Sequence, residues 1–247
     1  MIAVRFLVFA AAILAVGCGK TTSAGRAHQA SHYWLFFDES ASVRDRQKAN
    51  WPQEATRLAG RLQYGDAAEI DLIHARTADA APQFRGAIPL FDENSPRDMQ
   101  EAAKRELIRV RRDAKKAIAE AIHPTQSIHV NATDVFGVFD RFRPDPDRQN
   151  LILIFSDGLE SADPRLNLER SCLAQMNLES AITDLAHRRR WHDRSLAGAN
   201  VFFILPGVSS NDAKSCNDSG QLRAFYSMLI GAIGGNLVDF NTQWSQQ

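Results

Sequence analysis

The chain has 247 residues, of which 45% are apolar and 23% are charged, so it is long enough for a domain with a large buried core. Its 29 Lys and Arg residues balance its 29 Asp and Glu residues, which argues against a protein that binds nucleic acid through its overall charge. Its 3 cysteines are too few for a scaffold built on disulfides.

The first 17 residues have the pattern of a bacterial secretion signal. Arg5 gives the segment a positive start, and residues 6–16 form an apolar run that is too short to be a stable membrane anchor. Small residues then precede Cys18, in a pattern that resembles the lipobox of bacterial lipoproteins. The resemblance implies cleavage before Cys18 and a lipid on its sulfur. Because Gly19 follows instead of aspartate, it also implies the outer membrane, with the protein facing the periplasm or the cell surface. An ordinary secretion signal with an incidental cysteine is the alternative.

Residues 18–30 are mostly small and polar, so we expect a flexible tether that leads into one domain over residues 31–247. The domain begins with an aromatic and apolar run at residues 33–37, which is typical of a central strand buried on both faces. The next element is predicted to be a helix from residue 50 to residue 62, with Asn50 as its N-cap.

After this helix, the sequence predicts two further strands and a long helix. Residues 68–75 and 83–91 have strand patterns, and the second of them belongs at a sheet edge because Pro89 has no N–H to donate. Residues 97–122 have a strong helical pattern with Met99 on the apolar face. The opposite face is rich in Arg and Lys interleaved with acidic residues, which favours a solvated surface over a site for an anionic partner.

The second half of the domain continues the alternation of strands and helices, with a loop at residues 159–177. Asp218 and Gln221 are predicted to form a capping box, and Gly234 is predicted to end the last helix. This alternation predicts an α/β fold: a doubly wound, mostly parallel central sheet with helices on both faces and one antiparallel edge strand. The predicted helices lie at residues 135–142, 178–190 and 219–233, and the predicted strands at 151–155, 200–205 and 237–240.

Two buried strands of this predicted sheet end in an aspartate. Asp38 follows the first strand, and Asp157 follows the strand at residues 151–155. Ligands of such sheets bind outside the carboxyl ends of the strands, so these side chains are candidates for a site. Carboxylate and hydroxyl oxygens suit a small hard cation such as Mg²⁺ or Mn²⁺, and no His or Cys cluster has the spacing of zinc ligands.

The pattern Asp-x-Ser-x-Ser at residues 38–42, a later Thr133 and Asp157 after a later core strand resemble the metal-ion-dependent adhesion site of von Willebrand factor type A (VWA) domains. The resemblance covers about residues 31–240. It implies that the hydroxyls of Ser40, Ser42 and Thr133 bind the ion. It further implies that Asp38 and Asp157 act through water or hydrogen bonds, and that an acidic residue of a protein partner completes the ion's ligands.

The middle loop departs from the family pattern. Ala132 stands where the family often has glycine, and the stretch between Ser42 and Thr133 is longer than usual. Thr125 is therefore an alternative to Thr133 as a ligand. A VWA-like fold that binds no metal, and uses these side chains as loop caps, is a further alternative.

The two cysteines that remain after Cys18 each follow a core strand. Because the cell envelope is oxidising, we predict a disulfide between Cys172 and Cys216, with two unrelated buried thiols as the alternative.

These patterns together predict a lipid-anchored binding module rather than an enzyme, with a protein partner and no nucleic acid. One alternative is a phosphatase that resembles the haloacid dehalogenases and uses Asp38 as nucleophile, but Ser40 stands where that chemistry has a second aspartate. The other alternative is a structural envelope lipoprotein with a vestigial metal site.

Overall fold

The computed structural model describes residues 28–40, 43, 47–123, 132–192, 195–207 and 216–244. The segments that lie outside the described residues include the signal at 1–17, Cys18 with most of the tether, Ser42 and Thr125.

The described residues form one sheet of six strands, flanked by helices. The strands are β1 (Ser31–Asp38), β2 (Ala67–Ile73), β3 (Phe84–Ala87), β4 (Gln149–Phe155), β5 (Asn200–Ile204) and β6 (Asn236–Asn241). The helices are α1 (Trp51–Arg61), α2 (Arg97–Ile122), α3 (Gly137–Arg141), α4 (Leu178–Arg189) and α5 (Ser219–Ala232).

The strand order is β3-β2-β1-β4-β5-β6, and each neighbouring pair is parallel except the antiparallel pair β2 and β3. The predicted doubly wound α/β fold with one antiparallel edge strand is therefore confirmed. The chain builds outward from β1 to β2 and β3, and then returns to β4 on the other side of β1. This reversal places a topological switch point between the carboxyl ends of β1 and β4, where ligands of such sheets bind.

Strand β1 is buried on both faces because helices cover both sides of the sheet. Its side chains alternate between two cores: Leu35 and Phe37 pack toward α1 and α2, whereas Trp34 and Phe36 pack among residues of α3, α4 and α5. Burial on both faces explains why residues 33–37 are aromatic or apolar without alternation.

Asn50 occupies the N-cap position of α1 as predicted, but its side chain does not cap the helix. Asn50 has helical backbone angles and ends a 3-10 turn at Gln47–Asn50, and its side chain makes no capping bond. Its amide nitrogen donates instead to the carbonyl oxygens of Leu205 (3.1 Å) and Thr242 (2.6 Å). The side chain is therefore used for long-range contacts, which the local pattern did not reveal.

The long helix α2 has the predicted bounds, but Met99 does not lie on its buried face. Met99 is 59% exposed, whereas Ala103, Val110 and Ala114 further along the same face are buried. A helix of this length spans about 39 Å, while a seven-residue strand spans about 23 Å. The first turn of α2 therefore extends past the sheet that buries the rest of that face.

Two local predictions in the second half are confirmed. Asp218 accepts a hydrogen bond from the backbone N–H of Gln221 (2.8 Å), and the Gln221 side chain accepts one from the N–H of Asp218 (2.9 Å). Cys172 and Cys216 form a disulfide with their Cα atoms 5.4 Å apart. This bond ties the long loop after β4 to the start of α5.

Candidate metal centre

Asp38 is the last residue of β1, and its carboxylate is fully buried. Its Oδ1 accepts a hydrogen bond from the backbone N–H of Ser40 at 2.8 Å. Its Oδ2 accepts one from the hydroxyl of Ser156 at 2.6 Å. Ser156 directly follows β4, so this bond joins the ends of the two strands at the switch point. The sequence analysis assigned no role to Ser156, although it lies between a core strand and the predicted site residue Asp157.

The surroundings of Asp38 act on its pKa in opposite directions. Burial raises the pKa of Asp38, and this effect is larger than the opposing hydrogen bonds from Ser156 and Ser40 and the nearby charge of Lys48. A buried carboxylate of this kind is stabilised in its charged form by a cation. Burial at the end of β1 therefore favours the neutral, protonated form of Asp38 unless a cation or further hydrogen bonds stabilise its charge.

Thr133 is fully buried, and its hydroxyl oxygen has no hydrogen-bond partner among the described residues. Its backbone is well held: its N–H donates to the Ser161 hydroxyl (2.8 Å), and its carbonyl accepts from the N–H groups of Ser161 (2.9 Å) and Ala162 (3.1 Å). Leaving a buried hydroxyl without a partner costs about 1–3 kcal/mol. An ion bound by this oxygen would offset that cost.

The backbone around Thr133 crosses the end of β1. The N–H of Asp134 donates to the carbonyl of His74, just after β2, at 3.0 Å, while Thr133 bonds to Ser161 in the loop after β4. Because β1 lies between β2 and β4, Thr133 and Asp38 lie at the same edge of the sheet.

Asp157 follows Ser156 and is partly buried. Its Oδ1 accepts from the N–H of Leu159 at 3.0 Å, which holds the turn after β4. The neighbouring Gly158 has a φ of +78°, a backbone conformation that favours glycine, and its carbonyl accepts from the Tyr226 hydroxyl at 2.8 Å. The turn that carries Asp157 is therefore attached to α5.

Tyr226 is a fully buried residue of α5 that feels the charges of three acidic residues near the candidate site. Burial raises the pKa of Tyr226, and the charges of Glu160, Asp157 and Asp38 raise it further. The tyrosine therefore keeps its proton, and its hydroxyl donates a hydrogen bond to the carbonyl oxygen of Gly158. The sequence analysis missed Tyr226, because nothing in its local pattern distinguishes it from an ordinary core residue of a helix.

Glu160 holds the loop beneath Thr133. Its carboxylate accepts three backbone hydrogen bonds, from Phe136 (3.0 Å), Ala162 (2.7 Å) and Asp163 (2.8 Å). Burial raises the pKa of Glu160 to about 7, although these three bonds oppose the rise. Glu160 was also missed in the sequence, because its bond to Phe136 joins residues 24 positions apart and its local bonds to Ala162 and Asp163 have no pattern that points to a site.

Four of the five predicted metal-site residues are described: Asp38, Ser40, Thr133 and Asp157. Asp38 ends β1, and Ser40, Thr133 and Asp157 lie in loops at the same edge of the sheet, while Ser42 lies outside the described residues. Within the part of the chain that the structure describes, no three His, Cys, Asp or Glu side chains are grouped to hold a metal.

No protein-family model and no curated protein matches this sequence. Solved structures show low similarity. The human COPII-coat protein Sec24c has 10% identity and a TM-score of 0.45, over 87% of this chain and 30% of that chain. BatB from Bacteroides thetaiotaomicron has 10% identity and a TM-score of 0.39, over 88% and 92% of the two chains. An aerotolerance-related membrane protein from Bacteroides fragilis has 12% identity and a TM-score of 0.36, over 84% and 90%.

This chain spans less than a third of the length of the coat protein chain that it matches. Among the described residues, no helix is both long enough and apolar enough to span a membrane. The fold assignment rests on the strand order and the direction of each strand: the protein has a doubly wound α/β domain with one antiparallel edge strand.

Proposed function

We propose that this protein is a lipid-anchored envelope protein with a VWA-like domain that binds a protein partner through Mg²⁺ or Mn²⁺. The hydroxyls of Ser40, Ser42 and Thr133 would hold the ion, and Asp38 and Asp157 would support it. The observation that carries the proposal is the buried hydroxyl of Thr133, which has no hydrogen-bond partner among the described residues, at the same sheet edge as the buried carboxylate of Asp38.

The chemistry of these residues suits an ion that seeks an external ligand. Hydroxyl ligands add no charge, so a divalent ion held by them stays electrophilic and would take a carboxylate from an acidic residue of the partner. Ser156 keeps the Asp38 carboxylate oriented, and Ser161 keeps the backbone of Thr133 in place. We propose binding and not catalysis, because both Asp38 oxygens already accept hydrogen bonds and the side chain is fully buried.

The proposed lipid would lie at the opposite end of the domain from the metal site. At the start of β1, Asp66 accepts hydrogen bonds from the backbone N–H of Ser31 and from His28, both at 2.8 Å. The eight residues of β1 then span about 26 Å to Asp38. A chain tethered through Cys18 would therefore present Asp38 and Thr133 away from the membrane.

Titration of the full-length protein in detergent with Mn²⁺, followed by calorimetry, tests the metal site. We expect one bound ion in the wild type, and an affinity for Mn²⁺ at least about tenfold lower in Asp38→Asn and Thr133→Val. The first change removes the negative charge of the carboxylate, and the second removes the hydroxyl ligand. Asp79→Asn and Thr183→Val are matched controls at exposed positions. Wild-type affinity in Thr133→Val would overturn the proposed ligand set.

The partner is tested by capture with the same proteins in Mg²⁺ and in chelator. We expect a partner that the wild type and Asp79→Asn retain only in Mg²⁺ and that Asp38→Asn does not retain. Binding that is equal in Mg²⁺ and chelator would contradict a cation-dependent contact. Hydrolysis of a phosphate monoester that depends on Asp38 would instead support the phosphatase alternative.

A further inference from the structure

A buried lysine lies next to the candidate metal centre. The Lys48 side chain is only 6% exposed, and its Nζ lies 3.8 Å from Oε1 of Glu39, which is equally buried. The ammonium also lies 5.7 Å from the ring centroid of the fully buried Trp51. Lysines are almost never buried unless they are paired, so this placement indicates a specific electrostatic role.

The position of Glu39 connects Lys48 to the site. Glu39 directly follows Asp38, and its backbone N–H donates to the carbonyl of Ile73 at the end of β2 (3.2 Å). The charge of Lys48 reaches Asp38 as well, and it is one of the influences that oppose the rise in the pKa of Asp38 caused by burial. Two consecutive acidic residues at the end of β1 therefore share one buried ammonium.

We propose that Lys48 is a built-in counter-ion of the metal centre, which lowers the affinity of the free protein for divalent cations. This inference rests on the proposed function and concerns the regulation of the same site. The ammonium repels a divalent ion in a buried environment, where solvent screens charges poorly. When ionised, Asp38 and Glu39 together with Lys48 leave one net negative charge to attract the ion.

The same electrostatics couples the metal to the partner. A carboxylate from the partner adds the negative charge that Lys48 cancels, so the ion binds more tightly when the partner is present. By linkage, the partner then binds more tightly when the ion is present. Lys48 would thus make the site respond to metal and partner together.

A cycle of charge variants tests this inference by calorimetry with Mn²⁺ on the full-length protein. Lys48→Met should bind Mn²⁺ at least about tenfold more tightly than the wild type, and Glu39→Gln should bind it at least about tenfold more weakly. The double variant Glu39→Gln/Lys48→Met keeps the net charge of the wild type, so its affinity for Mn²⁺ should stay within about threefold of the wild-type value. Lys48→Arg should also stay close to the wild type, and the exposed Lys115→Met is the matched control.

A purely structural role for Lys48 would not produce this order of affinities. Circular dichroism shows whether each variant is folded, and the double variant is informative if Lys48→Met alone fails to fold, because it removes the charges of Lys48 and of its partner Glu39 together. Equal or weaker metal binding by folded Lys48→Met, or a double variant that departs strongly from the wild type, overturns the counter-ion role and leaves the metal site standing. Absence of binding by the wild type and every variant overturns the proposed function itself.

Discussion

The Ser156 hydroxyl donates a hydrogen bond to Oδ2 of Asp38 across 2.6 Å, and the two residues are 118 positions apart in the chain. The same Ser156 oxygen accepts from the N–H of Gly158 at 3.0 Å, so it is bonded on both sides. This short chain of bonds connects the end of β1 to the turn after β4. It also supplies one of the donors that hold the buried Asp38 carboxylate.

Ser156→Ala should destabilise the protein by about 1–3 kcal/mol, because it leaves a buried carboxylate oxygen without its partner. It should also raise the pKa of Asp38 further, since the bond from Ser156 is the largest of the influences that lower it. Urea unfolding measures the change in the free energy of unfolding, with the exposed Ser180→Ala as the control. If both variants unfold at the same urea concentration as the wild type, the bond between Ser156 and Asp38 does not stabilise the fold.

Glu160 should make the stability depend on pH near neutrality. Burial raises the pKa of Glu160 from 4.5 to about 7, so the folded protein holds this proton more tightly than the unfolded chain. The resulting stabilisation is fully present below pH 4.5 and is lost as the pH rises through about 7. The full change for this group is about 3 kcal/mol.

Urea unfolding at several pH values, with the wild type and Glu160→Gln, measures this effect. The variant has no carboxyl group at this position, so its free energy of unfolding should fall less between pH 4.5 and 7 than that of the wild type. Asp71, whose pKa burial raises to about 6, contributes in the same direction to both proteins and cancels in the comparison. Parallel pH curves for the two proteins would contradict the raised pKa of Glu160.

Removal of the disulfide should cost stability, because the Cys172–Cys216 bond closes a loop with a sequence separation of 44. The chain-entropy model gives about 4 kcal/mol for a loop of this size. The double variant Cys172→Ala/Cys216→Ala should therefore unfold at a lower urea concentration than the oxidised wild type, and the reduced wild type should behave like the variant. Peptide mapping without reductant should identify the linked pair, and two freely alkylated thiols would refute it.

Cys18→Ser should prevent lipid attachment. The small residues before Cys18 resemble a lipobox, and serine lacks the sulfur to which the proposed lipid would be attached. We expect the variant to remain an uncleaved precursor, or to be released without lipid, when cell fractions are compared by immunoblotting and mass spectrometry. A processed and acylated Cys18→Ser protein in the membrane fraction would contradict the lipoprotein assignment.

Much of the fold could be predicted because the signals are local or periodic. Burial is visible in the order of apolar and polar residues along a segment. It produces the apolar run at residues 33–37 and the helical pattern at residues 97–122. The capping box of Asp218 and Gln221 lies within a single turn, so its pattern is visible in four consecutive residues. Even the disulfide could be anticipated, since only two cysteines follow Cys18.

Local patterns in the amino-acid sequence thus predicted the order and type of the strands and helices, and they indicated Asp38 and Asp157 at the ends of two core strands. Which distant groups meet there depends on the packing of the folded domain. Ser156 reaches Asp38, and Asn50 bonds to Leu205 instead of capping its own helix, because sheet pairing brings remote segments together. The burial of Thr133, whose hydroxyl has no partner in the part of the chain that the structure describes, likewise depends on tertiary packing. Such contacts depend on the packing of the whole domain, and no local pattern encodes them.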